Sequence, residues 1–569
     1  MKSSSGPLSV IKQFRNKKRG FVIDIYDGQK SITDTHSAGS VSEAAGGGVL
    51  EPDHLHQSDL LVLDYNLEGA ASGLGGQKAR GILRSVLTNR HFNLIALHTD
   101  EKDIFEVFYQ CLFDLMPSCT SKFDERLNKS IKEIENSISE LEQSDEIDRN
   151  DIIKLLTNEK YFSIRRSNSV FSDTLREFMQ LEGLLSDVAK AGDDLKFEKG
   201  KLKSFFFWVI REFEKRKFSN HLAEEHLEEI KWKAEGDRIW LRTARGFVAF
   251  IRKNTADILG ELQKSIEDWE PTPSRLISAK YRSELSDAGV VAEDRTLSKK
   301  HAFAYFYKDL KAPGHGGLSE IDSQRMRLAK LKSHINGKSE ALTSVVEDAV
   351  IEFAEKIRDT ENKTGANFEA HYGVSLSEGR ELGKARAHYN SYVSTLSLKP
   401  GSEQLDSGHI FQWGGNWWVC ATPACDLQLG QNTTAFMGSS SNLRPFTALL
   451  LEPAGNDYEQ ITNNHINSGL FCFVETNKGD VVCLGLQKMT DTNPFQNGKV
   501  TWRTFVAERA GLIDNGELLL TVPKLAPSEM KLDQGQKAQV VAKLRYEYAL
   551  NFIQKVGTSV TRIGLGYAS

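Results

Sequence analysis

The sequence predicts a multidomain chain that combines α/β, all-α and β parts. A parallel α/β domain covers residues 1–118, a long helical body 119–398 and a small β-barrel-like module 399–530, with a C-terminal helix and tail over 531–569. Three observations predict it. Apolar runs of strand length alternate with helical patterns up to about residue 115. The period is then helical until about 395. From about 400, short β-rich runs are split by Gly, Asn, Asp and Pro turns. At 569 residues the chain exceeds one ordinary core, so several domains are expected.

In the first part, "GFVIDIYDG" (20–28) and "DLLVLDYNL" (59–67) read as strands, the second fully buried. "GGQKARGILRSVLTN" (75–89) places Ala79, Ile82, Leu83 and Val86 at helical spacing. "FNLIALHTDE" (92–101) is a third buried strand, and "IFEVFYQCLFDLM" continues as helix. Continuous apolar strands separated by helices imply a parallel sheet covered on both faces. The Gly/Ser/Ala-rich stretch 37–49 reads as a mobile insertion.

In the middle, Leu127, Ile131, Ile134, Ile138 and Leu141 form a seam of about two heptads, which suits a packed hairpin better than an extended coiled coil. Helical patterns cover 151–194, 198–216, 219–268 and 318–360, and the two prolines of "EPTPSR" (270–275) break a helix. "KSFFFWVIREF" (203–213) is apolar around its circumference and reads as core rather than membrane contact. The alternating charges of 211–218 are a solvated face. In the last part, "NWWVCAT", "FTALLLEP", "GLFCFVET", "GDVVCLGL", "VTWRTFVA" and "GELLLTV" are six strands at the spacing of a small barrel, and a helix is expected over 533–555.

Composition sets the bounds on function. Apolar residues make up 40% and charged residues 26%, as in globular proteins, and a net charge of −5 gives no global sign of nucleic-acid binding, though it leaves room for a local basic patch. No apolar run approaches the roughly 20 residues of a membrane span. The basic start lacks the apolar core of a signal peptide, so a cytoplasmic protein is expected. Six scattered cysteines are expected to be reduced thiols.

The stretch "SDLLVLDYNLEG" poses the main chemical question, because an apolar strand ends on Asp64. A strand-end aspartate either receives a phosphoryl group or simply opens the next turn. The pattern resembles the receiver domain of two-component response regulators. The resemblance makes Asp64 the phosphoacceptor at the end of the third strand, and Thr99 the hydroxyl at the end of the fourth. Gly75 and Gly76 open the helix between them. It also implies Mg²⁺ held by Asp64 with an acidic pair at the end of the first strand. Asp24 and Asp27 are the nominees, although they are not adjacent. The segment "SVIKQFRNKKRG" reads as a first helix, which would make 20–28 the second strand and leave the pair without a place. A lysine following the fifth strand has no counterpart in 104–116, which reads as helix. With the acidic pair and the lysine unplaced, the reading expected is a pseudo-receiver that uses Asp64 as a docking residue, and a phosphoryl switch at Asp64 is the alternative.

The C-terminal part carries a second resemblance. "WWVCATPACDL" (417–427), with Cys420, Cys425 and Asp426, is similar to a CxxPxCD segment of bacterial proteins that join a response receiver domain to helical and β modules. The end of the chain resembles their closing signature through Arg545, Tyr548, Ala549, Arg562, Ile563 and Gly564. Such proteins are encoded beside GHKL-type ATPases that resemble histidine kinases, in loci associated with phage defence. The resemblance therefore implies a GHKL-type partner and a phosphorelay-like signalling role.

Cys420 and Cys425 have the spacing of a zinc knuckle that Cys472 and Cys483 could complete. The latter two, however, lie in apolar strands, so zinc is not expected. At the Cys425 turn, Asp426 is expected to accept backbone hydrogen bonds. A Cys425–His409 nucleophile is not a recognised arrangement. The glycines form no P-loop, and His91 and His98 fall on opposite pleat faces. The expected function is non-catalytic signalling. The alternatives are an effector enzyme or toxin with a site around Cys425, and a plain scaffold. No membrane contact is expected, and an oligomer formed through the helical body stays open.

Overall fold

A computed structural model describes residues 7–15, 59–67, 76–88, 91–118, 120, 125–144, 148–154, 156–166, 202–217, 227, 230–236, 238–255, 257–297, 299–311, 320–377, 379–398, 401–429, 442–455, 458, 461, 469–476, 479–486, 500–525 and 530–560. The chain divides into two compact units, Met1–Pro271 and Thr272–Ser569. The division falls inside "EPTPSR". There a helix ends at Trp269, Glu270 takes a left-handed backbone (φ 56°), and the next helix starts on Pro273, where the missing N–H costs nothing.

In the first unit α1 (Pro7–Arg15) precedes β1 (Leu60–Asp64), α2 (Gln77–Thr88), β2 (Asn93–Thr99) and α3 (Ile104–Leu115). Helices α4 (Glu125–Gln143), α5 (Arg149–Ile153), α6 (Asn158–Arg166) and α7 (Leu202–Lys217) follow. The unit closes with β3 (Lys231–Glu235), β4 (Arg238–Arg242), β5 (Gly246–Arg252) and α8 (Ile258–Trp269). The strands form one sheet in the order β1-β2-β5-β4-β3. β1, β2 and β5 are parallel, and β4 and β3 extend the sheet antiparallel. The edge strand β3, "KWKAE", carries alternating charge, which discourages pairing with another chain.

β5 explains the sheet's position. Gly246 to Ile251 are all buried, as befits a strand covered on both faces. Val248 and Phe250 enter the main core, while Phe247, Ala249 and Ile251 enter a second cluster with α8. β1 was expected to be fully buried; most of it is half-buried, with Leu61 and Leu63 toward one cluster and Leu60 and Val62 toward the other. The expected helical body is interrupted here, because β3, β4 and β5 occupy 231–252. The helices expected to begin a new domain after residue 118 share the sheet's core. Ile131, Ile134 and Ile138 of α4 pack in one cluster with Leu63, Leu97 and the buried "FFFWVI" of α7. The α4 seam therefore meets α7 rather than its sequence neighbour, and Trp208 Nε1 of α7 donates to Glu135 of α4.

The second unit begins with α9 (Pro273–Leu297, broken at Gly289), α10 (Lys300–Lys311), α11 (Glu320–Thr364) and α12 (Arg380–Ser394). Then come β6 (Thr395–Ser397), β7 (Ser402–Gln404), β8 (His409–Trp413), β9 (Asn416–Cys420) and a short α13 (Ala424–Leu427). β10 (Arg444–Pro453), β11 (Phe471–Glu475), β12 (Val481–Gly485), β13 (Trp502–Ala507), β14 (Leu512–Asp514), β15 (Glu517–Leu525), β16 (Met530–Leu544) and α14 (Tyr546–Val560) complete it.

Six strands close into a barrel in the order β10-β9-β8-β16-β15-β13, with β13 returning to β10. Its interior is aromatic. The Phe505 ring lies 5.0 to 5.7 Å from those of Phe411, Trp413, Trp418 and Phe446. Four of the expected strands are staves of this barrel (β9, β10, β13 and β15). The other two, β11 and β12, form a hairpin paired to the far end of β10. The expected helix over 533–555 is corrected to strand up to Leu544. A register shift between Val540 and Ala542 turns the strand over, so Ala538 and Val540 fill the barrel while Ala542 and Leu544 pack outside it against Ala549 and Phe552 of α14. Among the described residues no helix is long and apolar enough to cross a membrane.

Candidate functional site

The parallel strands of the first unit end together, and their carboxyl ends carry the candidate site. Asp64 is the last residue of β1 and pairs in register with His98 of β2. Thr99 ends β2, and Lys253 follows the last residue of β5. Lys253 Nζ lies 2.8 Å from Asp64 Oδ2 and 3.7 Å from Asp100 Oδ1. The other Asp64 oxygen accepts the Asn66 N–H at 3.0 Å, and Asn66 Nδ2 donates to Asp100 (2.9 Å) and Glu101 (3.0 Å). The Asp64 side chain keeps 45% of its surface exposed, so the carboxylate is paired yet reachable. Thr99 is buried, and its hydroxyl oxygen accepts the Glu101 N–H at 3.1 Å. Burial raises the Asp100 pKa, but the Asn66 hydrogen bond and the Lys253 charge outweigh it and hold that carboxyl below its usual value. Burial first, then Lys253, lowers the pKa of His98 beneath Asp64, which favours a neutral ring.

A second layer fixes the backbone that carries Asp64. Tyr65, the next residue, is buried, and its N–H donates to His98 O at 3.0 Å. Its ring lies against Gly76, where a Cβ would come within 2.3 Å of it; Gly76 also has φ +71°, so glycine is required there twice over. Tyr65 Oη donates to Gln110 of α3 at 2.5 Å and accepts from Arg80 of α2 at 3.0 Å. Arg80 Nε in turn reaches Asp114 of α3 at 2.6 Å. Burial raises the Tyr65 pKa to about 12, so the hydroxyl stays protonated.

A lysine, Lys253, does stand at this edge, where 104–116 offered none. It stands after β5, beyond helices α3 to α7. The signal was present in "GFVAFIRKN", an apolar run that ends on basic residues. Asp24 and Asp27, the nominated Mg²⁺ partners, lie outside the described residues, as do Gly75, the 37–49 insertion, and Arg562, Ile563 and Gly564 of the closing signature.

The C-terminal candidates are dispersed. Cys472 and Cys483 face different clusters on opposite sides of the β11–β12 hairpin, and Cys420 is buried in the barrel core. Cys425 is exposed, with its thiol 3.4 Å from Asp426 Oδ1. His409 is fully buried; its Nδ1 accepts the Asp406 N–H at 2.8 Å. Tyr548 is exposed, whereas Ala549 packs where a Cβ on Gly408 would approach within 2.8 Å. The Arg545 N–H donates to Ser394 O at 2.8 Å, tying the start of α14 to the end of α12.

Residues 24–150 match the family model described as Response receiver domain. No curated protein matches the chain, and no solved structure does. The matched segment contains Asp64 and Thr99 and stops before β5 and Lys253. A receiver segment points to a signalling or regulatory role.

Proposed function

We propose that the first unit is a phosphoryl-responsive signalling module in which Asp64 is the acceptor. One observation carries this reading. An accessible strand-end carboxylate, a buried hydroxyl and a lysine from three neighbouring parallel strands meet at one sheet edge. A carboxylate oxygen of Asp64 attacks phosphorus while the donor's leaving group departs on the opposite side. The product adds roughly −1.5 to −2 charges, and Lys253 is already placed to offset part of them. Mg²⁺ favours carboxylate oxygens; Asp64 would supply one of them, and Asp24 or Asp27, the nominees of the sequence, would have to supply the next for the ion to neutralise the remaining charge. The Thr99 hydroxyl, which now accepts from Glu101 N–H, can turn to donate to a phosphoryl oxygen. That turn releases the 99–101 backbone just ahead of Asp103, whose side chain caps α3. A GHKL-type ATPase is the proposed donor and partner, in an anti-phage context, on the strength of the family association.

The test is hydrogen exchange of the whole protein with Mg²⁺ and beryllofluoride. Protection at 59–67 and 99–106 that vanishes in Asp64→Asn is expected. No response, combined with loss of ATPase binding in Asp64→Asn, would favour the docking reading over the switch.

A further inference from the structure

We propose that the outward face of α10 binds a single-stranded polynucleotide. The whole chain is acidic, with a net charge of −5, yet residues 299–311 and 323–339 hold nine Lys and Arg against one acid, Asp309. That acid is turned inward, where it pairs with Lys330 of α11. α10 seats on α11 through Phe306, whose ring stacks on His334 with centroids 4.0 Å apart. Phe303 meets the same imidazole edge-on at 5.4 Å, and Lys338 Nζ lies 5.6 Å from the Phe303 ring.

Seating that side leaves two adjoining rows facing outward at helical spacing. One is Lys300, Ala304, Tyr307 and Lys311, and the other is His301, Tyr305 and Lys308. All seven residues are exposed, Tyr305 at 69% and Tyr307 at 59%. Lys311 Nζ sits 4.6 Å from the Tyr307 ring centre, so a base stacked on that tyrosine would have a cation beside its phosphate.

Charge alone would suit any polyanion, and a run of lysines is ordinarily a solvated face. The tyrosines narrow the choice. Each row sets a tyrosine one helical turn before a lysine, Tyr307 with Lys311 and Tyr305 with Lys308, and a ring beside a cation is how unpaired bases and their phosphates are held together. A duplex hides its base faces, and an acidic peptide has none. A membrane surface would require an apolar stripe to insert, and apart from the tyrosines the outward rows offer nothing larger than Ala304.

The test is fluorescence anisotropy of the full chain with labelled oligothymidylate and oligouridylate of about 20 nucleotides. Binding is expected at about 50 mM salt, weakening linearly on a log–log plot as salt rises. The triple variant Lys300→Glu, Lys308→Glu, Lys311→Glu should lose at least about tenfold in affinity and flatten the salt slope. Tyr305→Ala with Tyr307→Ala should lose about fivefold or more with the slope unchanged, and Tyr→Phe at both positions should restore binding. Circular dichroism checks that each variant keeps its helices. Preference between the two oligomers would identify DNA or RNA as the ligand. Absence of binding, or affinity unchanged in both variant sets, would overturn the proposal. So would polyglutamate or phosphatidylserine vesicles binding as tightly as the oligomers without regard to the tyrosines, since the face would then be a generic anion surface.

Discussion

The sheet of the first unit and the barrel of the second both bury apolar strands, but they treat the strand ends differently. β1, β2 and β5 run in one direction, so the residues just past them collect on a single edge: Asp64, Thr99 with Asp100, and Lys253. Antiparallel order in the barrel sends neighbouring strand ends to opposite rims. Charge there is spread into separate pairs, such as Lys537 with Glu517 (3.0 Å) and Lys543 with Asp406 (2.6 Å). Parallel pairing gathers chemistry from distant parts of a sequence, whereas antiparallel closure gathers a core.

That contrast can be broken at three points. The largest effect belongs to the barrel. Phe505→Ala removes the ring that four other aromatic rings meet, and is expected to cost about 3–5 kcal/mol. Denaturant unfolding followed by tryptophan fluorescence measures it. Hydrogen exchange at 60–64 should not change, and a parallel loss of protection there would show that the two cores do not stand separately.

The second effect depends on pH. Burial, followed by the charge of Lys543, lowers the His409 pKa to about 4. An unfolded His titrates near 6.5, so between these values the unfolded chain binds the extra proton. Stability from this group is therefore complete above about pH 6.5 and falls away as pH drops toward 4, by about 3 kcal/mol in all. His409→Asn keeps an acceptor for the Asp406 N–H and removes the titration, so its midpoint should vary less across that window. An unchanged pH slope would place the acid sensitivity elsewhere.

The smallest stability effect is expected at the candidate site. Lys253→Met breaks a partly exposed ion pair and should change stability by less than about 1 kcal/mol, while weakening the response of 59–67 to beryllofluoride. A loss above about 2 kcal/mol would make Lys253 a structural residue and remove the functional contrast between the units.

Part of this was legible in the sequence. β1 and β2 read as apolar runs with Asp64 and Thr99 at their ends, and "FFFWVI" read as core because no face of that helix is polar. Lys253 was hidden because β5 sits between stretches of helical pattern, far from the strand it pairs with. Strand runs of that length are easily absorbed into a neighbouring helix pattern. β16 was misread because Lys, Gln and Ala are good helix formers, and its bulge breaks the alternation that marks a strand. The sequence also showed the lysines near 300 and 330. It could not show that the one acid among them turns inward while both tyrosines stay outside, since that depends on how α10 seats.

The separation between Asp64 and Lys253, 189 residues along the chain, also has a meaning in time. At roughly 5–20 residues per second on the ribosome, about 10–40 s pass between the synthesis of the two residues. During that interval β2 lacks its parallel neighbour β5, and the carboxylate lacks its cation. The candidate site is thus among the last features of its unit to assemble, and a nascent chain cannot present it before the helical insertion has been made.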